Sequence, residues 1–451
     1  MAARLAHTNL RASPGNGVVA LDIRVASADV RLGKATSYDY ELRVDGAEGA
    51  ATLTASSVYG AIYGMETFVQ LIGQDGQLRH SHVHIQDSPQ YKWRGLMIDA
   101  GRRFFPMDLM RNLLDTMAAT KLNVLHLHAS DRCRWSVESK LFPNLTASLT
   151  GMHAGHYTQQ DIKDMISYAG ARGIRVVPEF DVPGHSTGDP DNSTYNVLTK
   201  VFAEMAGLFE DEVFNIGGDE TEVQGPCTVE STFELQRKLI NFIRNDLKKT
   251  PEGWQELLFD ATAATMDTIV NSWTGTFAPN ITATGREAVE SASGHFYFTA
   301  PAPGGPAGWK NCWYDIGLGV PSERKQLLLG GEMSMWSDTY CYTSQCGAYP
   351  GPTPAGHALF NPAHDAEFAK SVGGMIWPRG FVAAASFWNF DAAKDPTSDA
   401  FTAALWRLND QLIARGALSC PTKCSCDQLT ACGRPYLAPG ATVAKQPDIL
   451  V

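Results

Sequence analysis

The sequence predicts an α/β protein, a (β/α)8 TIM barrel preceded by a small N-terminal α+β domain, and three observations carry that expectation. After Asp87-Ser88-Pro89 the chain alternates apolar strand-like runs with amphipathic helical stretches, the rhythm of a parallel sheet. Eight such strand-like runs occur in the 451-residue chain, and with the intervening helices they extend over roughly 300 residues, enough for a closed barrel. Before Asp87 the pattern differs: short alternating runs surround one helical stretch, the mark of a separate unit. The organisation expected is residues 1–88 for the non-catalytic α+β domain, 89–410 for the barrel and 411–451 for a Cys-rich extension packing on it.

In the N-terminal part, Val18–Val25, Asp39–Val44, Ala51–Ala55 and His82–Ile85 read as strands and Val58–Ile72 as a helix. The barrel strands expected are Gly95–Asp99, Leu122–His128, Arg175–Phe180, Glu212–Ile216, Glu252–Gln255, Thr268–Trp273, His295–Phe298 and Leu327–Trp336. Between them, Met107–Ala119 reads as a helix opened by Pro106, and Gln159–Arg172 as one capped by Thr158 with Asp161. Tyr195–Leu208 and Thr232–Leu247 are two more. Chemistry in such barrels gathers at the C-terminal ends of the strands, so strand-end residues are the ones to weigh.

Composition narrows the function classes. Lys plus Arg number 37 against 48 Asp plus Glu, a net charge of −11, and no basic run occurs, which argues against nucleic acid and for a neutral or non-acidic ligand. The most apolar stretches, such as Phe381–Phe387, fall far short of the ~20 residues of a membrane span. No signal segment is visible in Met1–Ala12, yet other features suggest an extracytoplasmic, disulfide-permissive setting. Nine cysteines include the cluster Cys420, Cys424, Cys426 and Cys432 and the pair Cys341 and Cys346, and sequons begin at Asn144, Asn192 and Asn280. The cluster lacks the paired knuckles and nearby His of a zinc site, so disulfides are the preferred reading. A homodimer is compatible with the sequence, which does not set the oligomeric state.

Polar residues gather where the strands end. Asp131 follows His126-Leu-His128, Glu179 and Asp181 stand with His185, and Asp219-Glu220 follows Phe214-Asn-Ile-Gly-Gly. The glycines permit tight backbone passage while two carboxylates reach the barrel mouth, where crowding pushes their pKa values apart. One can then stay protonated as a general acid while its neighbour stays ionised, the division of labour in glycoside cleavage. An acidic dipeptide alone is more often a solvated turn; Trp254, Trp273 and Trp336, each at a strand end, add an apolar box suited to a sugar face or an acetamido methyl. His126 and His128 alternate on one strand without a third ligand nearby, so no metal is expected.

These residues resemble the family-20 glycoside hydrolases, the β-N-acetylhexosaminidases that include those of eukaryotic lysosomes. The likeness runs from about Tyr40 to Trp388 through ordered segments: Ala55–Leu71, Trp93-Arg-Gly-Leu-Met-Ile-Asp99, Lys121–His128, Arg172–His185, Gly217-Gly-Asp-Glu220, Gly253-Trp-Gln-Glu256, Gly330–Trp336 and Trp377-Pro-Arg379. The resemblance implies a retaining exo-enzyme releasing terminal β-linked N-acetylglucosamine, with N-acetylgalactosamine as a second substrate. It implies substrate-assisted catalysis through an oxazolinium ion, with no cofactor. It implies that Glu220 moves the proton, Asp219 orients the acetamido N–H and Tyr297 bonds the acetamido oxygen. Arg94 and Asp338 would hold sugar hydroxyls, the three tryptophans would line the pocket, Asp181 would support Asp219, and Asp131 with His185 would tune Glu220.

The chain departs from the family pattern in places. Asn215 stands where His is usual, Thr299 where the family has Asp, and Asp338 where it has Glu, which puts recognition of the outer hydroxyls in question. The segment Ser186–Tyr195 is shorter than in relatives, and an open site beside the leaving group, with transfer to sugar acceptors, is expected from it. The alternatives are a disaccharide-releasing, lacto-N-biosidase-like enzyme and an inactive sugar-binding relative.

Overall fold

The computed structural model describes residues 20–45, 49–72, 78, 80, 82–132, 134–147, 149, 155–185, 192–221, 228–260, 264–298, 305–337 and 365–419. The first unit is a four-stranded sheet in the order β1-β3-β2-β4, built from Ala20–Val25, Tyr40–Asp45, Ala50–Ala55 and His82–Asp87. Tyr40, Leu42 and Val44 alternate toward one buried face, as period-two patterning requires. The helix Val58–Gln70 covers that face and is opened by Ser57, whose hydroxyl accepts the Tyr59 and Gly60 amides.

The second unit is a closed parallel barrel in the order β5-β6-β9-β10-β11-β12-β13-β14. Its strands are Trp93–Asp99, Val124–His128, Arg175–Glu179, Val213–Asn215, Thr250–Trp254, Ile269–Ser272, Ala288–Glu290 and Leu328–Met335. A two-residue ribbon, β7 Ser130–Asp131 with β8 Arg134–Trp135, follows β6. The helix expected at Met107–Ala119 has those bounds, and Gln159–Gly170 carries the Thr158–Asp161 capping box. Outward residues such as Leu96, Leu125, Phe214 and Val270 join helix residues such as Leu113, Met165 and Leu239 in the main core. Arg379–Asn389 and Asp399–Ala414 close the barrel's flank, and beyond them Gly416 and Arg415 return to Asn112 and Glu66.

The interior is layered. Trp93, Val124, Val177, Val213, Ile269, Val289 and Leu329 form an apolar floor. Two residues further along four of those strands the inward positions turn polar: His126, Glu179, Asn215 and Asn271, joined by Glu252 and Glu332, all buried. The next step along the strands delivers His128, Asp181, Trp254 and Trp273 to the mouth.

The seventh strand is a correction. It is Ala288–Glu290, not His295–Phe298. Val289 is the residue that completes the floor, whereas His295 and Phe296 turn into the short helix Ser293–Phe296, with Phe296 packed outward on Phe387. Tyr297 and Phe298 are extended and bridge Ser334 of β14, which explains the strand-like pattern. Among the described residues, no helix is long and apolar enough to cross a membrane. Cys312 is a free buried thiol; the cysteines of the expected cluster and pair, like Thr299 and Asp338, lie outside the described residues.

Candidate active site

Two βα turns build the centre of the mouth. After β9 the chain passes Asp181 and turns at Gly184 to present His185; after β10 it turns through Gly217 and Gly218 to present Asp219 and Glu220. Both turns depend on missing side chains. A Cβ on Gly184 would strike the Asp219 carbonyl, and one on Gly217, at φ 67°, would strike the Asp181 carboxylate. Asp181 ties the turns together, accepting the Gly218 amide at 2.9 Å through Oδ1 and bonding His185 Nδ1 at 2.7 Å through Oδ2.

His185 Nε2 reaches Glu220 Oε2 at 3.2 Å. With a carboxylate on each nitrogen, both nitrogens must donate, so the ring is an imidazolium. Burial opposes that charge, but the hydrogen bonds to Asp181 and Glu220 push the pKa up to about 12. The same bond holds Glu220 below its usual value, against a smaller effect of burial. Asp219 behaves oppositely: burial first, then the Asp181 charge, pushes it well above the carboxylate range. Its Oδ1 is buried without a hydrogen-bond partner.

A second chain of ions lies below. His126 bonds Glu332 at 2.9 Å and Glu179 at 3.1 Å; His128 bonds Glu179 at 2.6 Å and Asp131 at 3.2 Å. Both rings have carboxylates on both nitrogens, and those bonds overcome burial to hold both pKa values well up. Burial would raise Glu179, but the two imidazolium rings hold it far below its usual value. The sequence expectation paired Asp131 with His185. Here Asp131 Oδ2 is 3.9 Å from His185 Nδ1 and serves His128 and Arg102 instead, while Asp181 takes the histidine.

Above these ions stands the aromatic box. Trp254 and Trp336 pack 5.9 Å apart beside Met97, and Tyr297 stacks on Trp273 at 5.9 Å with the rings 6° from parallel. Trp254 is fixed by its indole N–H to Glu179 at 2.7 Å, and Trp273 by its own to Glu256 at 2.9 Å.

Arg94 is not part of this site. It is the second residue of β5, at the opposite end of the barrel, fully buried, donating to the Lys121 and Tyr91 carbonyls beneath the rings of Tyr38 and Trp388. The arginine at the mouth is Arg102, three residues past the end of the same strand. It pairs with Asp99 and Asp131 at 3.0 Å each, 5.0 Å from the centre of the Trp336 ring. The rule that favours C-terminal strand ends would have selected it. Ligand atoms of His128, Asp131 and Asp181, and of Asp181, His185 and Asp219, lie within cation-binding distance of one another. The histidines in both groups spend their two nitrogens on carboxylates as donors, and an imidazolium offers a metal no lone pair.

Residues 91–190 and 189–390 match the catalytic domain of glycosyl hydrolase family 20, and residues 6–71 match a domain described as beta-acetyl hexosaminidase like. The chain belongs to glycosyl hydrolase family 20. Beta-hexosaminidase subunit beta of Mus musculus is 31% identical over 366 residues, covering 70% of this chain and 68% of the mouse protein. Beta-hexosaminidase subunit A2 of Dictyostelium discoideum is 30% identical over 370 residues, covering 71% and 67%. The solved chitobiase of Flavobacterium johnsoniae superposes with a TM-score of 0.71 at 26% identity, covering 88% of this chain and 63% of that one. This family-20 chain is a glycoside hydrolase of the β-hexosaminidase group that spans about two thirds of these relatives' lengths.

Proposed function

We propose that the chain is a retaining exo-β-N-acetylhexosaminidase acting on terminal β-linked N-acetylglucosamine by substrate-assisted catalysis. The observation that carries this reading is Asp219 Oδ1, a buried acceptor without a hydrogen-bond partner, on a residue whose charge acts on Tyr297 of the indole box. An acetamido N–H supplies the missing donor, and its methyl suits the apolar walls.

In the proposed first step Glu220 gives its proton to the glycosidic oxygen as the C1–O bond breaks. The acetamido oxygen forms the new bond to C1, and Tyr297 donates a hydrogen bond to that oxygen. The oxazolinium cation so formed faces Asp219. Water then attacks C1 and passes a proton to Glu220 as the bond from C1 to the acetamido oxygen breaks, and two inversions at C1 give net retention. Without substrate the two pKa shifts run against this step, since Asp219 is pushed up and Glu220 held down. An N–H bonded to Asp219 favours its ionised form, while a leaving group that covers half-exposed Glu220 strips water from it and favours its protonated form. Arg102 replaces Arg94 as the cation for the sugar's outer hydroxyls.

The test uses 4-nitrophenyl N-acetyl-β-glucosaminide. Glu220→Gln and Asp219→Asn should each lose about 10² to 10⁴ in kcat. Wild-type turnover in both variants would refute the assignment, and release of disaccharides alone would favour the lacto-N-biosidase-like reading. Transfer to added sugar acceptors tests the openness expected from the short segment after His185.

A further inference from the structure

Glu256 has no role in the chemistry above, yet it stands inside the site. It follows β11 by two residues, and its Oε1 accepts the Trp273 indole N–H at 2.9 Å. Trp273 is the ring on which Tyr297 stacks, 6° from parallel, and Tyr297 in turn meets Trp336 at 62° with centroids 6.0 Å apart. One carboxylate oxygen therefore fixes the orientation of the wall that carries the acetamido-binding tyrosine. The other oxygen, Oε2, is buried with no partner from another residue.

We propose that Glu256 is a positioning residue of this hexosaminidase site, holding Trp273 and Tyr297 in register through Oε1 and placing a third carboxylate beside Asp219 and Glu220 through Oε2. The proposal rests on the reading of Glu220 as the proton donor. The groups that face Glu256 are Glu220 and Asp181, together with Asp219 and Tyr297, on both of which its charge acts. Glu179 and His185 complete the set around Asp219. Burial raises the pKa of Glu256, with Glu220 and Asp181 adding to it against its own backbone and the Trp273 bond. Its negative charge appears only as pH rises past that raised value. In the substrate complex, where the covered Glu220 holds its proton, that charge opposes loss of the proton and so sustains the acid form at higher pH.

Two substitutions separate anchoring from charge. Glu256→Gln keeps an oxygen for the indole N–H and removes the charge. The kcat profile, which reports the substrate complex, should match wild type on its acid side, while its alkaline limb moves to lower pH by about half a unit or more. Glu256→Leu removes the acceptor as well, leaves the indole N–H unpaired, and should raise KM for the N-acetyl substrate about tenfold relative to Glu256→Gln. A purely scaffolding Glu256 would leave the pH limb where it is. An active wild type whose alkaline limb superimposes on that of Glu256→Gln overturns the proposal even if Glu256→Leu does not fold. A wild-type chain that leaves the substrate intact overturns the hexosaminidase reading, and this proposal with it.

Discussion

Both ends of the barrel bury charge, and they treat it differently. At the floor end the cations are capped or paired by the chain itself, although Nη2 of Arg94 has no hydrogen-bond partner. Arg94 is capped by two carbonyls and roofed by rings of the small domain, Lys121 binds Asp87 at 3.0 Å, and Arg175 meets Asp211 at 2.7 Å. At the mouth the charges are carboxylates, imidazolium rings and Arg102, and two carboxylate oxygens, Asp219 Oδ1 and Glu256 Oε2, have no hydrogen-bond partner from another residue. A guanidinium packed under aromatic rings belongs to a joint, whereas acceptors left open at the barrel mouth belong to a site awaiting a ligand. A buried unsatisfied group costs roughly 1–3 kcal/mol, so such groups persist where a bound molecule repays them.

One substitution made at both ends tests this contrast most strongly. Arg102→Lys keeps the charge but loses the planar fork shared by Asp99 and Asp131, and should lower kcat/KM about 100-fold with the fold retained. Arg94→Lys should instead cost about 2 kcal/mol in urea unfolding and leave kcat/KM of the folded enzyme within about threefold. Loss of activity in a fully folded Arg94→Lys would erase the distinction.

The pH dependence of stability gives a smaller effect. Glu179 has a folded pKa below its unfolded one, so its contribution is present above about pH 4.3 and is lost as pH falls. His126, His128 and His185 have raised values, so their contributions are complete below about pH 6.5 and fade as pH rises toward the folded pKa, about 12 for His185. Asp219 and Glu252, raised first by burial, the latter to about 8, also favour the more acid range. Urea midpoints should therefore be highest near pH 4.5–6.5. A midpoint that climbs from pH 6 to 9 would mean that the mouth does not dominate the electrostatics of folding. The smallest effect belongs to the joint: Tyr63→Phe removes the hydroxyl that donates to the Leu122 carbonyl at 3.1 Å and should cost about 1 kcal/mol with unchanged kinetics.

Local patterning carried much of this to the surface of the sequence. Met107–Ala119 announces itself by amphipathic spacing behind Pro106, and Thr158 with Asp161 by capping chemistry, because both depend on neighbours within one turn. Val289 could not be picked out in the same way. A three-residue strand leaves no period to read, and only closure of the floor reveals it. The arginines show a different limit: Arg94 lies at the start of one strand and Arg102 just past its end, and the residue type alone does not tell which of them meets a ligand. Glu252, Glu256 and Glu332 look like ordinary acids along the chain, since the burial of Glu252 and Glu332 and the partners of Glu256 and Glu332 come from elsewhere in the barrel.

The absent side chains at Gly184 and Gly217 carry a consequence for how such an enzyme can diversify. With no room between the turn bearing His185 and the turn bearing Asp219, neither can be rebuilt alone, because any added carbon on one displaces the other. The proton-handling half of the rim is thus a single inherited part. New preferences for the sugar or its aglycone must be explored by loops that do not share that contact, such as Thr274–Phe277, where Gly275 has open space around it.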